Sequence, residues 1–584
     1  MQIEPVQGVL ETAGFGVPTL NALSPNVHNY TTLLIQPHGD IEVDAAGVRS
    51  FDRELAKAQF GGFLADAVET HADLVVTPEY AMPWDVLLNA IRDGTSPSPG
   101  KLWVLGCESI KYGELEAAQA DIAQHATLLF EPLAADGEKF LGPLAYVFQA
   151  PTLGDDDNSN LIILVQFKTN PMGDADHFEV NRLQRGSTIY QFGNFAGQDI
   201  KLVSLICSDA FNFLDPEATA VYDRGMVIHI QLNQKPRHEQ FRLYRDRLLR
   251  FNGDATEIIC LNWASNVQLR DGAHQHSWNN IGGSAWYLKP DKFDFRDETL
   301  CSNHKLGLYY TWLEKWYVHA LFFNYEPTTY LLTATKVAHV GVPAPLSRRR
   351  GPQLFRTKLW DDASRSWEEQ VRLEDGFTGI VGETGGASAN IKHISDLNPF
   401  IAERILALCS GKIGTRNDWY KVSKLDSCVI DANEIIFRLT FCQDSEPEAC
   451  DFRTARLRRC RRLWEILKDD SNLPAALDDL STGFTFDWKP QSPHQNIISN
   501  EGTTATVVYM GEDVSIEQVD AVKKTLEELL HRGSGGPSQS IEALQRLAVW
   551  YRDDDSKIVV HRPYAYTQID MTGDRSALDI GRSE

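Results

Sequence analysis

The feature that most constrains the fold is an alternation of short apolar runs with amphipathic stretches in the first half of the chain. The apolar run Thr31–Ile35 precedes an amphipathic segment, Arg53–Thr70, and a second apolar run follows at Asp73–Val76. Short apolar runs are typical of buried strands, and apolar residues three and four apart are typical of helices. The same pattern predicts further strands at 102–105, 126–130, 161–165, 200–206, 226–230 and 257–262, and a helix at 238–251. The order predicts an α/β domain with extensively buried strands.

The chain has 584 residues, which is more than one hydrophobic core usually organises. Past residue 345 the residue composition changes: a basic, turn-forming segment at 347–352 is followed by a run of small residues at 382–387. We therefore predict a domain at 25–345, a linker at 346–390 and a C-terminal α+β domain of unknown role at 391–584. The elements predicted in that last part are strands at 434–441, 505–510 and 558–560 and helices at 451–468, 515–531 and 541–551. Loops are predicted at 96–100, 155–158 and 264–282.

The charge balance bears on the partners of the chain. Asp and Glu number 80 against 56 Lys and Arg, which gives a formal net charge of −24. A polyanion would meet net repulsion, so a nucleic-acid partner is not expected. The exception weighed is an arginine cluster on the predicted helix 451–468, for which pairing with the protein's own carboxylates is the favoured interpretation. Its members are Arg453, Arg456, Arg458, Arg459, Arg461 and Arg462.

Location and metal content are also addressed by the sequence. The segment Met1–Pro5 lacks a basic and apolar leader, and no run approaches the roughly 18 apolar residues that cross a bilayer, so a cytoplasmic protein is expected. The nine cysteines include no CxxC pair and no paired spacing of a zinc site. His274 and His276 have no third ligand in sequence and are interpreted as part of a polar loop. We therefore expect no metal.

Three apolar strands are each followed by a reactive side chain. Glu79 ends Leu74–Glu79, Lys168 follows Ile163–Phe167, and Cys207 follows Leu202–Ile206. Taken singly, each is more often structural: a buried small thiol, a solvated lysine or a turn carboxylate. Together they supply a thiol nucleophile, a base to deprotonate it and a cation to hold an oxyanion. The combination points to thiol-dependent hydrolysis.

In this order of motifs the sequence resembles the nitrilase (carbon-nitrogen hydrolase) superfamily over roughly residues 25–345. The motifs are a strand ending in Pro-Glu, a strand ending in Lys with an acidic residue downstream, and a strand ending in Cys. The flanking positions that agree are Gln36, Arg250, 257–262, Gly282-Gly283-Ser284 and Lys289-Pro290. The resemblance implies a nitrilase-like α-β-β-α sandwich whose chains associate as dimers or larger homo-oligomers.

The resemblance also implies a role for each site residue. Glu79 would be the base, Cys207 the nucleophile, and Lys168 with the backbone N–H of Ser208 the oxyanion donors. A second acid lies downstream of the lysine at Glu179 or Asp176, of which Glu179 is favoured. The substrate would be a small-molecule amide, nitrile or carbamoyl compound, and no metal or organic cofactor would be required.

Two other functions stay open at this stage. The nitrilase-like body would serve as an assembling scaffold or regulated effector if the C-terminal domain recognises a partner. Alternatively, the site would hydrolyse glutamine and supply ammonia, although the chain has no GxxxxGK[ST] phosphate loop for a built-in synthetase. One departure from the family pattern is Ser208, which stands where an aromatic residue is common, while Asp209 keeps the acidic position after it.

Overall fold

The computed structural model describes most of the first 370 residues and several stretches of the remainder. The described residues form two compact units, one within residues 1–373 and one within 374–584. The described positions are 1–24, 27, 29–134, 136–173, 178–193, 200–222, 224–233, 239–250, 256–264, 267–272, 274–278, 284–289, 303–313, 318–324, 326–336, 352–369, 405–406, 408–411, 447–469, 473–487, 494–512, 514–533, 536–553 and 555–561.

The first unit is built from many strands and a smaller number of helices. Its strands are β1 (Gln2–Pro5), β2 (Asn29–Gln36), β3 (Asp40–Asp44), β4 (Gly47–Ser50), β5 (Leu74–Met82), β6 (Leu102–Cys107), β7 (Thr127–Phe130), β8 (Pro143–Thr152), β9 (Asp155–Phe167), β10 (Thr188–Phe192), β11 (Lys201–Ile206), β12 (Gly225–Ile230), β13 (Thr256–Leu261), β14 (Val267–Asp271), β15 (His274–Trp278), β16 (Ala285–Lys289), β17 (Leu308–Leu313), β18 (Val318–Phe323), β19 (Thr328–Thr335), β20 (Gln353–Asp361) and β21 (Ser366–Glu369). Its α-helices are α1 (Val6–Thr12), α2 (Arg53–Glu69), α3 (Trp84–Arg92), α4 (Tyr112–Ile122), α5 (Phe178–Arg182), α6 (Asp215–Val221) and α7 (Glu239–Arg250).

Two large mixed sheets form the body of this unit. One has eight strands in the order β1-β10-β11-β12-β13-β16-β18-β17, and the other has nine in the order β21-β20-β19-β2-β5-β6-β8-β9-β7. Alternate residues of each strand face the other sheet, as the two-residue period of a strand requires. Leu74 and Val76 of β5 thus share a core with Met226 and Ile228 of β12. The α/β class expected from the sequence is confirmed.

Helices cover the outer faces of both sheets. On the nine-stranded sheet, Phe60 and Phe63 of α2 pack with Leu87 of α3 against the side of β5 that carries Val75. On the eight-stranded sheet, α7 packs against β12, where the ring of Tyr244 lies 5.0 Å from that of His229. Among the described residues, no helix is both long and apolar enough to cross a membrane.

Several predicted loops contain strands. The acidic run 155–158 begins β9, which forms a long antiparallel hairpin with β8. The segment 264–282 contains β14 and β15, which join β3 and β4 in a four-stranded sheet, so His274 and His276 lie on a strand. These predictions were wrong because backbone pairing to a neighbouring strand holds polar residues extended without an apolar pattern.

Three strands of the first unit lie outside the domain limits predicted from the sequence. β20 and β21 lie inside the segment 346–390, where the sequence predicts a linker, and β20 pairs with β19 at the edge of the nine-stranded sheet. β1, which precedes the predicted start at residue 25, pairs with β10. The division into domains otherwise stays a prediction.

The described residues of the second unit include a five-stranded sheet and three long α-helical segments, besides helical residues at 405–406 and 408–409. Its strands are β22 (Phe484–Phe486), β23 (Ile497–Ser499), β24 (Thr504–Tyr509), β25 (Leu547–Arg552) and β26 (Ile558–His561), and its helices are α8 (Pro447–Leu467), α9 (Ile516–Gly533) and α10 (Pro537–Gln545). The helix predicted at 541–551 is wrong in its second half, because Leu547 begins a strand that pairs in parallel with β24. The strand predicted at 434–441 lies outside the described residues.

Candidate active site

The three residues singled out by the sequence meet at one place between the two large sheets. Glu79 lies on β5 and Lys168 directly follows β9, so both come from the nine-stranded sheet. Cys207 directly follows β11 of the eight-stranded sheet and begins a 3₁₀ helix, Cys207–Asn212. All three are buried, with Glu79 2% exposed, Lys168 0% and Cys207 1%. Charged groups so deeply buried require partners, and each has them.

Lys168 is the centre of the charge arrangement. Its Nζ donates to Oε1 of Glu79 at 2.7 Å and to Oε1 and Oε2 of Glu179 at 2.8 and 2.7 Å. An ammonium group has three hydrogens, so these contacts use its full donor capacity. Burial alone would lower the pKa of Lys168, but the charges of Glu179 and Glu79 outweigh that effect and raise it. The lysine is therefore a cation at neutral pH.

Glu79 is held at both carboxylate oxygens. Oε1 accepts from Lys168, and Oε2 accepts from the backbone N–H of Leu232 at 2.9 Å. Its own backbone carbonyl accepts from the indole N–H of Trp263 at 2.8 Å. The pKa of Glu79 is raised to about 7, chiefly because burial disfavours the charged form; Lys168 opposes the shift and Glu179 adds to it. A carboxyl group with that pKa exchanges protons readily near neutrality.

Cys207 lies in a strained backbone conformation. Its φ is +43°, a value that residues other than glycine rarely adopt and that is common at functional sites. Burial raises the pKa of its thiol well above the ordinary value, and the charge of Glu79 and a hydrogen bond with that carboxylate raise it further. The resting side chain is therefore a neutral thiol in contact with a base.

Glu179 is the acidic residue that the structure places beside Lys168. It lies on α5, is 3% exposed, and also accepts from the hydroxyl of Tyr80 at 2.8 Å and the backbone N–H of Met172 at 2.6 Å. Asp176, the alternative, lies outside the described residues. Tyr80 has a φ of +54°, so strained backbone occurs on both sides of the site.

Ser208 and Asp209 connect the loop after Cys207 with the loop after Lys168. Ser208 lies in the first turn of the 3₁₀ helix, where backbone N–H groups have no intrahelical acceptor. The Asp209 carboxylate accepts from the backbone N–H and hydroxyl of Thr169 at 2.8 Å each, from the N–H of Asn170 at 3.0 Å, and from the N–H of Ile206 at 3.2 Å. Asp209 therefore fixes the nucleophile relative to the lysine. The sequence indicated only its acidic character.

His229 is a buried residue that the sequence reasoning did not consider. It lies near the end of β12 and its ring contacts the backbone carbonyl of Cys207. The signal in the sequence was a single histidine inside the apolar run Met226–Ile230. Such a residue is more often a satisfied core group than a functional one, and only its partners distinguish the two.

Metal binding has no candidate among the described residues, where no three His, Cys, Asp or Glu side chains are grouped as a metal site would require. The histidine ring nitrogen nearest the nucleophile is already bonded to a carbonyl. The chemistry available to the described site is that of a thiol, a carboxyl base and fixed hydrogen-bond donors.

The arginine cluster of the second unit has internal partners. Arg462 and Arg461 lie 2.5 and 3.5 Å from the carboxylate of Glu465, one turn further along α8. Arg459 donates to the carbonyl of Ser410 at 3.4 Å. These contacts agree with the interpretation of a helix face paired with the protein's own groups. A nucleic-acid contact there stays untested.

Comparison with known proteins gives limited information. No family model matches the chain, and no curated protein matches it. Among solved structures, a glutamine-dependent NAD+ synthetase from Acinetobacter baumannii in complex with ADP aligns at 13% identity and a TM-score of 0.25, over 63% of this chain and 57% of that one. This chain thus spans little more than half the length of that synthetase. At this TM-score the likeness supports no conclusion about fold or activity.

Two further structures are similar at the same level. An amidase from Nesterenkonia sp. aligns at 13% identity and a TM-score of 0.25, covering 45% of this chain and 83% of that one. A glutamine-dependent NAD(+) synthetase from Cytophaga hutchinsonii aligns at 8% identity and a TM-score of 0.25, covering 90% of this chain and 65% of that one.

Proposed function

We propose that this chain is a thiol hydrolase of the nitrilase type that cleaves a non-peptide C–N bond through a thioester on Cys207. The observation that carries the proposal is the Lys168 ammonium, which is shared between Glu79 and Glu179 beside a buried thiol. A buried lysine between two carboxylates costs desolvation energy that a purely structural core avoids. Because Lys168 lies beside Cys207, whose backbone is strained, we attribute this costly arrangement to catalysis.

The first half of the reaction forms the thioester. As Sγ of Cys207 attacks the carbonyl carbon of an amide, Glu79 takes the thiol proton and the carbonyl π electrons move to oxygen. Lys168 and the N–H of Ser208 stabilise the resulting oxyanion. When the intermediate collapses, the C–N bond breaks and the amine leaves with the proton held by Glu79.

The second half restores the enzyme. Glu79 removes a proton from water, the hydroxide attacks the thioester carbon, and the same donors stabilise the second oxyanion. The C–S bond then breaks, and the thiolate of Cys207 regains a proton from Glu79. A nitrile would require one additional hydration step at the same residues, so amides, nitriles and carbamoyl compounds all suit this site.

Intact-mass spectrometry tests the proposal directly. The full chain is incubated with iodoacetamide and with a mixed library of amides and nitriles, beside Cys207→Ala and the control Cys107→Ala. Cys107 is also buried, and its thiol donates to the backbone carbonyl of Leu105. We expect an adduct and turnover in wild type and Cys107→Ala and neither in Cys207→Ala. Equal labelling of Cys207→Ala, or labelling undiminished in Glu79→Gln, would overturn the proposal.

The remaining expectations from the sequence accompany this proposal. Association of chains into homo-oligomers, a cytoplasmic location and recognition of a partner by the second unit are predictions that the described residues do not test. The added mass identifies the acyl or carbamoyl group carried by Cys207. An amide and the nitrile of the same skeleton give the same thioester, so these two classes are separated by incubating the protein with each compound alone.

A further inference from the structure

His229 faces away from the core between the two sheets. Its neighbours Ile228 and Ile230 belong to that core, and the two-residue period of a strand directs His229 to the opposite face, toward α7. There its ring lies 5.0 Å from the ring of Tyr244 and 6.1 Å from that of Phe241. The side chain is 0% exposed. It is thus held between β12 and α7, beside the backbone of the nucleophile.

The partners of the imidazole define which nitrogen carries the proton. Nε2 lies 2.9 Å from the carbonyl oxygen of Cys207, which can only accept, so Nε2 must be the donor. Nδ1 lies 2.8 Å from the hydroxyl of Tyr244 and 3.3 Å from the side-chain amide nitrogen of Gln231, both of which can donate to it; that amide nitrogen also lies 3.1 Å from Nε2. Burial lowers the pKa of His229 to about 3, so the ring is neutral and Nδ1 accepts the Tyr244 proton. The Tyr244 oxygen in turn lies 3.4 Å from Sγ of Cys260, whose thiol is left as the donor of that contact.

A single peptide unit connects this chain of hydrogen bonds to the oxyanion donor. The carbonyl of Cys207 and the N–H of Ser208 belong to the same planar peptide group, in which they point in opposite directions. Whatever fixes the direction of the carbonyl therefore fixes the direction of the N–H. A hydrogen bond at the carbonyl also polarises the peptide and strengthens the N–H as a donor.

We propose that His229 is a positioning residue that aims the Ser208 N–H into the oxyanion site by holding the Cys207 carbonyl. The proposal rests on the proposed function, since it assigns the Ser208 N–H to the oxyanion. The Cys207 carbonyl needs this support because the φ of Cys207 is strained, and a peptide in that conformation relaxes by rotation unless it is held. His229 holds it from one side, and Asp209 holds the following turn through the N–H of Ile206 and the loop of Thr169.

Two probes of Cys207 separate this role from a general effect on folding. Alkylation by iodoacetamide displaces iodide and forms no oxyanion, whereas acylation by 4-nitrophenyl acetate passes through a tetrahedral oxyanion and releases 4-nitrophenolate. The two rates are measured on the full-length wild type and on His229→Leu, His229→Gln and Tyr244→Phe. The glutamine carboxamide can donate at one atom and accept at the other, as the imidazole does, so it serves as the conservative control.

We expect His229→Leu to lose about 10²-fold in acylation rate, the effect of removing one oxyanion donor, while its alkylation rate stays within about twofold. His229→Gln should recover most of the acylation rate. Tyr244→Phe removes the group that fixes the tautomer and should slow acylation by a smaller factor with alkylation unchanged, which keeps the test decisive if His229→Leu does not fold.

Other outcomes would contradict either the role of His229 or the proposed function. Equal losses in both rates, or no loss in either, would overturn the role of His229 while leaving the proposed function intact. A wild type that is alkylated at Cys207 but neither acylated nor active on any amide or nitrile would overturn the proposed function, and this inference with it.

Discussion

Lys168 binds both carboxylate oxygens of Glu179, at 2.8 and 2.7 Å, while it makes a single hydrogen bond to Glu79. Glu179 is therefore the permanent counter-ion of the lysine, and Glu79 is the carboxylate that can change its charge. When Glu79 takes the thiol proton, Lys168 keeps a buried partner and remains available to the oxyanion. One cation between two carboxylates thus separates the role of base from the role of counter-ion.

The first prediction concerns the pH dependence of Cys207 reactivity. Because the pKa of Glu79 is about 7, the fraction of ionised base rises as the pH rises through that value and falls below it. We expect the alkylation rate of Cys207 by iodoacetamide to follow an apparent pKa near 7, below the ordinary thiol value of about 8.5. Stopped-flow or quenched mass measurements from pH 5 to pH 10 check this. A limb at or above the ordinary thiol value would mean that the thiol ionises without Glu79.

The second prediction isolates Glu179. Its negative charge contributes to raising the pKa of Glu79, so Glu179→Gln should lower that pKa and move the acidic limb of the alkylation profile to lower pH. The plateau rate should fall as well, because a less basic carboxylate removes the thiol proton less effectively. Glu54→Gln, at an exposed position on α2, is the matched control and should leave the profile in place. An unchanged profile in Glu179→Gln would show that the two carboxylates are not coupled.

The placement of the three main site residues could be predicted because each ends or follows an apolar run: Glu79 lies within β5, Lys168 follows β9 and Cys207 follows β11. Within the nine-stranded sheet, the pairings through β6 and β8 make β9 run in the same direction as β5, so Glu79 and Lys168 lie toward the same edge. Glu179 could be favoured only by the resemblance to the nitrilase pattern, since α5 is a single short turn with no periodicity to place it. The contacts of Asp209 and His229 were beyond reach, because they depend on backbone atoms of residues distant in sequence.

The limits of the fold prediction have a similar cause. Apolar strands such as β5, β6 and β12 can be recognised by composition. In contrast, β14 and β15 carry charged and polar residues, and they are held because β14 pairs with β3 and β15 pairs with β14. Pairing of that kind is set by tertiary contacts rather than by local sequence. For the same reason β20 could not be recognised within a segment that composition marks as a linker.

A third prediction concerns the stability of the site without its cation. Lys168→Met leaves Glu79 and Glu179 buried beside each other, and breaking a buried ion pair in this way costs about 3–5 kcal/mol of the free energy of unfolding. Lys168 lowers the pKa of Glu79, so its loss would raise that pKa in the folded state, and the variant should be destabilised most above that value. Its deficit should shrink as the pH falls and Glu79 takes up a proton.

Urea unfolding of wild type and of Lys168→Met at pH 5 and pH 8 measures how the loss of stability depends on pH. Lys101→Met is the matched control, because Lys101 pairs with Asp73 at 2.5 Å in a partly buried position where Thr31 and Asn21 also donate to the carboxylate. The control should lose less stability and show a weaker change between the two pH values. A Lys168→Met deficit that is equal at both pH values would mean that the two carboxylates do not repel each other in the variant.

The last prediction addresses the aspartate that joins the two loops. In Asp209→Asn the carboxamide oxygen can still accept from Thr169 and Asn170, but its NH₂ group then meets the N–H of Ile206, and two donors face each other in a buried site. A buried donor left without an acceptor costs about 1–3 kcal/mol, which urea unfolding should detect. Since burial raises the pKa of Asp209 only to about 6, wild type is ionised at neutral pH and the loss should be evident there. The control is Asp215→Asn, which alters an exposed ion pair with Arg250 and should change stability little. Cys207 alkylation should slow in Asp209→Asn and stay unchanged in the control, because Asp209, unlike Asp215, fixes the nucleophile relative to Lys168. Equal alkylation rates in the two variants would contradict that role.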